Sequence, residues 1–368
     1  MIPINKPIIG ELETKFVLEV LRSGILTGRS GGGPFARKFE EEFAEFVGAK
    51  YALATSSGTA ALHMALLAAG VGLGDEVIVP SFTFTATAEA VVLVGAKPVF
   101  VDINPETYNI DAEKIREAVT ERTKAIIPVD LYGLPADLKP IMELAEEKNL
   151  VVIEDAAQAH GAEYYGRRIG SISHMTCFSF YATKNMTTGE GGMVTTNIEE
   201  FAEKLRLVRE HGESGDYLPV TLGHNYRMME VAAAIGRAQL KRLSEFLGKR
   251  RENAIRLTEL ISSINSVKPP VEPRGMKHSW YLYTIRVKGG GRMRDKIVEI
   301  LRGRGVGASI YYKIPLHKTP FYSRFHRGSL TETERAAEEV LSLPIHPEVN
   351  DEQIEYIARC LREAVNSI

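Results

Sequence analysis

The sequence predicts an α/β fold in which a large domain with a mainly parallel central sheet is followed by a smaller α+β domain. From about residue 51 to residue 196, short runs of β-branched and apolar residues alternate with segments of helical length. The runs are continuously apolar, as expected for strands that are covered on both faces. Strand–helix–strand repeats of this kind predict one sheet with helices on its faces. The pattern changes after a long helical stretch that begins near Met228, which indicates a second unit.

Six segments of the first region have the composition of buried strands. They are residues 76–80, 97–103, 124–130, 150–156, 174–180 and 192–196. Helical periodicity is found between and after them, in TAALHMALLAAG, TATAEAVVLVG, DLKPIMELAEEKN and IEEFAEKLRLVREHG. Two of the first three helical segments end in glycine, a residue typical of helix C-termini.

The last third of the chain predicts a different kind of domain. We expect the long helical stretch MMEVAAAIGRAQLKRLSEFLGKRRENAIRLTELI to carry the chain out of the large domain. Beyond it, SWYLYTIRV has the period of two residues that is typical of a strand, RMRDKIVEILRGRG predicts a helix, and VGASIYY predicts another strand. We therefore predict a large domain at residues 1–245 and a small C-terminal α+β domain at residues 246–368.

Composition and charge exclude several classes of protein. The chain has 368 residues, of which 44% are hydrophobic and 25% charged, with a formal net charge of -2, as is typical of soluble globular proteins. No segment has the density of basic residues that a nucleic-acid binder needs, so we expect no nucleic-acid partner. The N-terminal MIPINKPIIGELETKF does not resemble a signal peptide, and no apolar run reaches the roughly 18 residues that span a bilayer. The two cysteines, Cys177 and Cys360, indicate a reducing compartment, so we expect a cytoplasmic protein with no membrane partner.

The motif ATSSGTAALHMAL places Ser57, Gly58 and Thr59 directly before an apolar helix. The N-terminus of a helix presents unpaired N–H groups and the positive end of the helix dipole, and both favour the binding of a phosphate. Gly58 would allow the backbone to approach the phosphate closely, and Thr59 would add a hydroxyl group. Simple capping of the helix by serine explains the same residues and stays open at this point.

The motif VVIEDAAQAHG places Asp155 at the end of a predicted buried strand. Ligands of open α/β sheets bind beyond the carboxyl ends of the strands. A carboxylate in that position needs a cation or hydrogen bonds to remain ionised, and a protonated ring nitrogen is one such partner. Capping of the next helix is the alternative for Asp155. Gln158 could face the same crevice, and His160 could face it too or be a hydrogen-bonded histidine of the core.

In FSFYATKNMTTGEGG, Lys184 lies between an aromatic run and a glycine-rich turn, just past a predicted strand. Desolvation favours the neutral form of a lysine amine, which is a nucleophile and can form a Schiff base with an aldehyde. Ser179, on the preceding strand, could reach a phosphate. The GEGG turn would let the backbone pass close to a bound ring.

Together these residues offer the four contacts that pyridoxal phosphate requires. The helix start meets the phosphate, the aspartate meets the pyridine nitrogen, and the lysine meets the aldehyde. The fourth contact is an aromatic residue on the face of the ring, and it is expected from PSFTFTATAEA. Phe84 is the candidate and Phe82 the competitor, although both could equally belong to the core. We expect no metal in this site.

The chain resembles the DegT/StrS-type family of sugar-nucleotide aminotransferases. The motifs that carry the resemblance follow one another from residue 26 to residue 347 and are LTGR, SSGTAAL, GDEVIVPSFTFTAT, PVFVDINPETYNID, VDLYGLPAD, IEDAAQAHGA, FSFYATKNMTTGEGG, LGHNYRMMEVAAAIGRAQL, IYYKIPLHKTPFY and LPIHP. The resemblance implies the aspartate-aminotransferase fold (fold type I) and pyridoxal phosphate as the cofactor. One departure is GRSGGGPF at residues 28–35, where family members often have fewer glycines, so the substrate-side loop is expected to be unusually mobile.

The resemblance also implies roles for the cofactor-binding residues. Lys184 would bind the aldehyde of the cofactor and carry the catalytic proton transfers, and Asp155 would pair with the pyridine nitrogen. Gln158 would lie near the ring hydroxyl, and Phe84 would stack on the ring. The residues expected to hold the phosphate are Ser57, Gly58, Thr59 and Ser179.

Because the active sites of this family lie at a dimer interface, the resemblance implies a homodimer with shared active sites. Asn225, in HNYRM, would come from the partner subunit to the phosphate. Arg227 would bind the diphosphate of the nucleotide sugar, which suits a planar guanidinium. A helix cap and a surface arginine are the simpler interpretations of these two residues. His317, in PLHKTP, and His160 are further candidates for substrate contacts.

The implied reaction moves an amino group from an amino acid to a keto group of a nucleotide-linked keto-deoxy sugar. We expect glutamate as the donor and C4 as the keto position, in a pathway that makes glycan, surface polysaccharide or antibiotic. One family subgroup has histidine in place of the lysine and performs a dehydration, which ATKN argues against here. Amination of a keto-inositol stays open, as does a non-catalytic regulatory role for a protein that only binds the cofactor. A nucleotide-binding Rossmann protein is disfavoured because no G-x-G-x-x-G follows the first strand.

Overall fold

A seven-stranded sheet organises the larger part of the chain in the computed structural model, which describes residues 1–28, 32–215 and 217–368. The strands of all sheets in the described residues are β1 (Tyr51–Thr55), β2 (Glu76–Pro80), β3 (Lys97–Val101), β4 (Thr123–Ile126), β5 (Val151–Asp155), β6 (Glu163–Tyr164), β7 (Arg167–Arg168), β8 (Met175–Ser179), β9 (Gly192–Thr196), β10 (Val267–Lys268), β11 (Met276–Lys277), β12 (Tyr283–Val287) and β13 (Val340–Leu343). The order in the large sheet is β1-β9-β8-β5-β4-β2-β3. β9 runs antiparallel to its two neighbours, and the pairs from β8 to β3 are parallel. The predicted mainly parallel sheet is confirmed.

Helices cover both faces of this sheet. The α-helices of the described residues are α1 (Glu11–Ser23), α2 (Pro34–Val47), α3 (Gly58–Ala68), α4 (Thr85–Leu93), α5 (Ala112–Ala118), α6 (Leu138–Lys148), α7 (Glu199–Arg209), α8 (Glu230–Ile261), α9 (Gly290–Gly303), α10 (Thr331–Glu339) and α11 (Asp351–Asn366). α3, α4 and α7 contribute to the apolar core on one face, and α2, α6 and the start of α8 to the core on the other. β2, β8 and β9 are buried at every position, which explains their continuously apolar sequences. Among the described residues, no helix is long and apolar enough to span a membrane.

Several strand predictions differ from the structure, since β1 and the short strands β6, β7, β10, β11 and β13 were not predicted. β1 was not predicted, because its sequence YALAT is poor in β-branched residues and it occupies an edge of the sheet. VGASIYY was predicted as a strand, but only isolated bridges occur there, from Val306 to Ile2 and from Ser309 to Ser342. The backbone of Gly307 lies against the N-terminal chain and donates a hydrogen bond to the Ile2 carbonyl. The local sequence is strand-like, but its backbone forms only single bridges, one to the N-terminus and one to β13.

The C-terminal part of the chain forms a second core around a small antiparallel sheet. β12 lies between β10 and β13 and pairs antiparallel with both. α9, α11 and the second half of α8 pack in this core, together with Ile2 from the N-terminus. Within α8, Leu243 belongs to the core of the large sheet and Ala254 to the second core. We therefore propose the domain division at residues 245 and 246, inside this helix.

Glu230 connects the start of α8 to the start of α2. Its buried carboxylate accepts hydrogen bonds from the backbone N–H groups of Phe35 (2.7 Å) and Ala36 (3.1 Å). These groups belong to the first turn of α2, where N–H groups have no partner inside the helix. A Cβ atom on Gly33 would lie 2.5 Å from the carboxylate carbon, so the helix start and the acid fit together only with glycine at that position.

Replacement of Glu230 by alanine should destabilise the protein by about 2 kcal/mol, because two helix N–H groups lose their acceptor in a site closed to water. The free energy of unfolding, measured by urea titration with circular dichroism, tests this expectation. Glu41→Ala is the matched control, since Glu41 is an exposed acid of the helix that Glu230 caps. It should change the free energy by less than about 0.5 kcal/mol. Equal values for the two variants would contradict the capping role.

Candidate active site

The carboxyl ends of two adjacent parallel strands bring the predicted catalytic residues together. Asp155 is the last residue of β5 and is paired with Cys177 of β8, and Ser179 ends β8. The chain then turns, and the N–H of Lys184 donates to the carbonyl of Tyr181 (2.9 Å). Lys184 therefore lies in the turn directly above the end of β5 and β8, as the sequence predicted from strand order.

Asp155 is a buried carboxylate with donors on both oxygens. It is 6% exposed, and it accepts from the hydroxyl of Thr87 (2.8 Å) and the backbone N–H of Ala157 (3.2 Å). Burial raises its pKa, while Thr87, Ala157 and the charge of Lys184 act in the opposite direction. The alternative role as a helix cap is wrong, because turns and then β6 follow Asp155. A cation placed beside this carboxylate would offset the cost of its burial.

Lys184 is half-buried beside an aromatic residue from the C-terminal part of the chain. Its Nζ atom lies 4.5 Å from the centre of the Tyr281 ring, within the range of a cation–π contact. The Tyr281 hydroxyl is hydrogen-bonded to Thr183 (3.0 Å), and the Asn185 side chain donates to the carbonyl of Ser279 (2.9 Å). Both neighbours of the lysine are therefore held by one segment. Tyr281 was not predicted as a site residue, since SWYLYTIRV was interpreted only as a strand.

The side-chain amide of Gln158 has a fixed orientation. Its oxygen accepts from the backbone N–H of Tyr132 (2.7 Å), so its nitrogen faces the hydroxyl of Tyr312 (3.3 Å). A primary amide has two N–H groups, and among the described residues the second one has no partner and remains to donate to a ligand. Tyr312 is a further site residue that the sequence analysis did not identify. The only sequence signal was an aromatic pair at the end of a segment predicted to be a strand.

The two candidate phenylalanines occupy different environments. Phe84 is 56% exposed, whereas Phe82 has no exposed surface. Phe82 packs against Tyr108 and Tyr312 in the core, and Phe84 lies at the N-terminus of α4 with its ring 6.3 Å from that of Tyr312. Of the two rings, that of Phe84 is therefore the one with a face available to a ligand.

The start of α3 forms a close-fitting cradle. Ser57 caps the helix by accepting from the N–H of Ala60 (3.1 Å), so the simpler interpretation of this serine is confirmed. A Cβ atom on Gly58 would lie 2.7 Å from that of Ser179, and one on Gly192 would lie 2.4 Å from the carbonyl oxygen of Ser57. Glycine at both positions therefore allows the start of α3 to pack closely against the ends of β8 and β9. The first N–H groups of the helix favour the binding of an anion at this place. Thr59 is half-buried in the same turn.

The segment around Tyr226 is attached to the same helix start. The carbonyl of Tyr226 accepts from the N–H of Ser56 (2.8 Å), and its hydroxyl is hydrogen-bonded to His63 of α3 (2.9 Å). The flanking residues are more accessible, since Asn225 is exposed and Arg227 half-buried. Within the described ranges, Arg227 makes no hydrogen bond or ion pair. Asn225 caps no helix, because α8 begins only at Glu230.

The structure contradicts direct substrate contacts for two histidines. His160 has no exposed surface, and its ring lies 5.5 Å from the rings of Phe178 and Phe180. Neither of its nitrogens has a hydrogen-bond partner among the described residues, and burial lowers its pKa to about 3. It is therefore a neutral histidine of the core.

His317 is likewise occupied inside the protein. Its Nδ1 atom is hydrogen-bonded to Ser81 (2.7 Å), and its Nε2 atom lies 3.1 Å from the carboxylate of Glu334. Its side chain is almost fully buried. Because both ring nitrogens have protein partners, no polar atom of His317 is free for a substrate in this structure.

The predicted glycine-rich loop is described only in part, since Arg29, Ser30 and Gly31 lie outside the described residues. In the described ranges no group of three histidine, cysteine, aspartate or glutamate side chains is arranged to hold a metal ion. The residues at the sheet edge do fit pyridoxal phosphate. A buried carboxylate, a half-buried lysine, an exposed aromatic ring and a glycine cradle at a helix start match the four functional parts of that molecule.

Comparisons with known proteins agree with this geometry. Residues 7–362 match the DegT/DnrJ/EryC1/StrS aminotransferase family. The GDP-perosamine synthase of Caulobacter vibrioides is 39% identical over 99% of this chain and 98% of its own. The UDP-N-acetyl-3-dehydro-alpha-D-glucosamine 3-aminotransferase of Acidithiobacillus ferrooxidans is 42% identical over 91% of this chain and 89% of its own.

Solved structures share the fold. The structure of Spr1654 from Streptococcus pneumoniae in its pyridoxal phosphate form is 31% identical, covers 100% of this chain and 99% of its own, and has a TM-score of 0.93. With the family match over nearly the whole sequence, this likeness confirms the predicted aspartate-aminotransferase-like fold and the predicted cofactor. The chain belongs to the DegT/DnrJ/EryC1/StrS family of pyridoxal-phosphate-dependent sugar aminotransferases.

Proposed function

We propose that this protein transfers the amino group of glutamate to the C4 keto group of a nucleotide-linked keto-deoxy sugar. The observation that supports it best is the joint position of Lys184 and Asp155 at one sheet edge, beside the cradle at the start of α3. The nucleotide-linked sugars in the names of its relatives support the substrate class. One of those names specifies a 3-keto sugar, so C3 is the alternative position.

Bound pyridoxal phosphate would act as the electron sink for the reaction. Lys184 would bind its aldehyde, Asp155 would keep a proton on its ring nitrogen, and Phe84 would cover one face of its ring. The free amide N–H of Gln158 would donate to the ring oxygen. The residues proposed to hold the phosphate are Ser57, Gly58, Thr59 and Ser179.

Lys184 would perform the proton transfers of both half-reactions. Its Nζ atom, once free, would remove the proton from the α-carbon of the amino donor. In the second half-reaction the same atom would deliver a proton to the sugar carbon that receives the amine. The Tyr281 ring under Nζ and the bonds from Thr183 and Asn185 would limit the positions that the amine can reach.

We further propose a homodimer in which Asn225 and Arg227 of one copy complete the site of the other. Two observations support the idea. Arg227 has no partner in the described part of its own chain, and Asn225 is exposed. Nearby, Leu218, Val220 and Leu222 are 57% to 76% exposed on one loop, an apolar surface that a second copy would cover.

The cytoplasm is the compartment that we propose for this reaction. Cys177 and Cys360 are both free and buried, as is common in a reducing environment.

The absorbance spectrum of the purified protein is the first test of the proposed chemistry. The wild-type protein should be yellow, and glutamate should bleach the band as the amino group passes to the cofactor.

Lys184→Ala should abolish turnover, because the variant has no amine to transfer the proton. Lys241→Ala, in an exposed part of α8, is the control and should keep full activity. Panels of 4-keto and 3-keto nucleotide sugars then decide the substrate. Near-normal turnover of Lys184→Ala would contradict the assignment.

Replacement of Gly58 by alanine should weaken the binding of pyridoxal phosphate by at least about tenfold, which corresponds to about 1.4 kcal/mol. The added Cβ atom would force α3 away from Ser179, where the phosphate is proposed to bind. Titration of the apoprotein measures the affinity. Gly248→Ala is the control, because a Cβ atom there meets nothing within 4 Å on α8. It should leave the affinity unchanged, and an unchanged affinity for Gly58→Ala would argue against the cradle.

A mixture of two inactive variants should recover activity if the sites are shared. In a mixed dimer of Asn225→Ala and Lys184→Ala subunits, one site receives both substitutions and the other receives neither. Random exchange should restore about a quarter of wild-type activity, since half of the dimers are mixed and each has one intact site. Mixing Lys184→Ala with Asp155→Ala is the control and should restore nothing, because these two residues act in the same subunit. No recovery in the first mixture would contradict the shared site.

A further inference from the structure

Thr87 is a buried threonine that points at the proposed partner of the cofactor ring. It lies in the first turn of α4 and has no exposed surface. Its hydroxyl donates to the Oδ2 atom of Asp155 at 2.8 Å, while the backbone N–H of Ala157 donates to Oδ1. Of these two donors, Thr87 is the one that a side-chain substitution can remove.

A second threonine extends this hydrogen bond into a chain. The hydroxyl of Thr83 lies 3.0 Å from that of Thr87, and both side chains are buried. A hydroxyl has one proton, so once Thr87 donates to the carboxylate its oxygen accepts the proton of Thr83. The two threonines form a short chain of donors that ends on Asp155. Such a chain stabilises the ionised form of the carboxylate and fixes the direction of its oxygens.

The same helical turn also carries the proposed stacking residue. Phe84 is the N-cap of α4, and the N–H of Thr87 donates to the Phe84 carbonyl (3.3 Å). One turn of backbone therefore determines the position of the exposed Phe84 ring and of the Thr87 hydroxyl that donates to Asp155. The pyridine ring would be held on its face and at its nitrogen by groups whose relative position is rigid.

We propose that Thr87 is a positioning residue that keeps Asp155 ionised and aimed at the ring nitrogen of the bound cofactor. The inference rests on the proposed roles of Asp155 and Phe84, and it adds a residue that does not touch the cofactor. It agrees with the electrostatics of the site. Burial raises the pKa of Asp155, and the hydrogen bond from Thr87 is the largest of the opposing contributions.

The test compares two cofactors on variants of the apoprotein. Pyridoxal phosphate is titrated beside its analogue in which carbon replaces the ring nitrogen, and dissociation constants are measured for both. Thr87→Val should weaken the binding of pyridoxal phosphate by about tenfold, which is the loss expected for one hydrogen bond to a charged group. It should leave the dissociation constant of the carbon analogue unchanged. Thr87→Ser keeps the hydroxyl and should restore the affinity. Thr87→Ala lacks the hydroxyl as well, and it replaces Thr87→Val if the valine variant does not fold.

Thr85→Val is the matched control, because Thr85 lies on the same turn but bonds to Tyr322 (3.0 Å) instead of Asp155. It should bind both cofactors like the wild type. If Thr87→Val lost affinity for both cofactors equally, the cause would be a packing effect of α4, and the proposal would be overturned. An unchanged affinity for both cofactors would overturn it as well. A wild-type protein that binds neither cofactor would overturn the proposed function itself. A wild-type protein that binds both equally well would overturn the role of Asp155.

Discussion

The architecture of the site depends on the groups that offset the burial of one carboxyl group at the end of β5. Removing a charge from water costs several kcal/mol unless hydrogen bonds or an opposite charge replace the water. Asp155 obtains them from three directions: Thr87 from α4, the backbone after β5, and the charge of Lys184 from the turn after β8. The parallel sheet makes this possible, because adjacent parallel strands place their carboxyl ends at the same edge. The same arrangement gives a cationic ring a specific place to bind.

The site is assembled from two parts of the chain that are far apart in sequence. Tyr281 and Tyr312, from the C-terminal part, contact Lys184 and Gln158. Arg250, in the middle of α8, is buried and donates to the carbonyls of Trp280 and Tyr281 (3.1 and 3.2 Å). Burial lowers its pKa to about 10, which still leaves it charged at neutral pH. The long helix that joins the two cores therefore also holds the segment against which the lysine lies.

Sequence patterns predicted the parts of the site that follow from local chemistry at strand ends. Asp155 and Lys184 each follow an apolar run, and strand order then brings them together. Tyr281 and Tyr312 were missed because their roles come from contacts across the molecule, which leave no local pattern. His317 was misassigned for a related reason: a histidine next to a turn looks the same whether its nitrogens face a ligand or, as here, Ser81 and Glu334.

Two more acids lie buried near Asp155, and their environments differ from its own in one respect. Asp130 and Glu154 are fully buried, and one carboxylate oxygen of each has no hydrogen-bond partner among the described residues. Burial raises the pKa of Glu154 to about 7, and burial together with the charge of Glu154 raises that of Asp130. Two such neighbours can share a proton near neutral pH. Neither has a lysine charge among the influences that lower its pKa, whereas Asp155 has both that charge and the Thr87 hydroxyl. The charge of Lys184 thus distinguishes Asp155 from its two buried neighbours, and it favours the ionised form of the carboxylate beside which the cofactor nitrogen is proposed to bind.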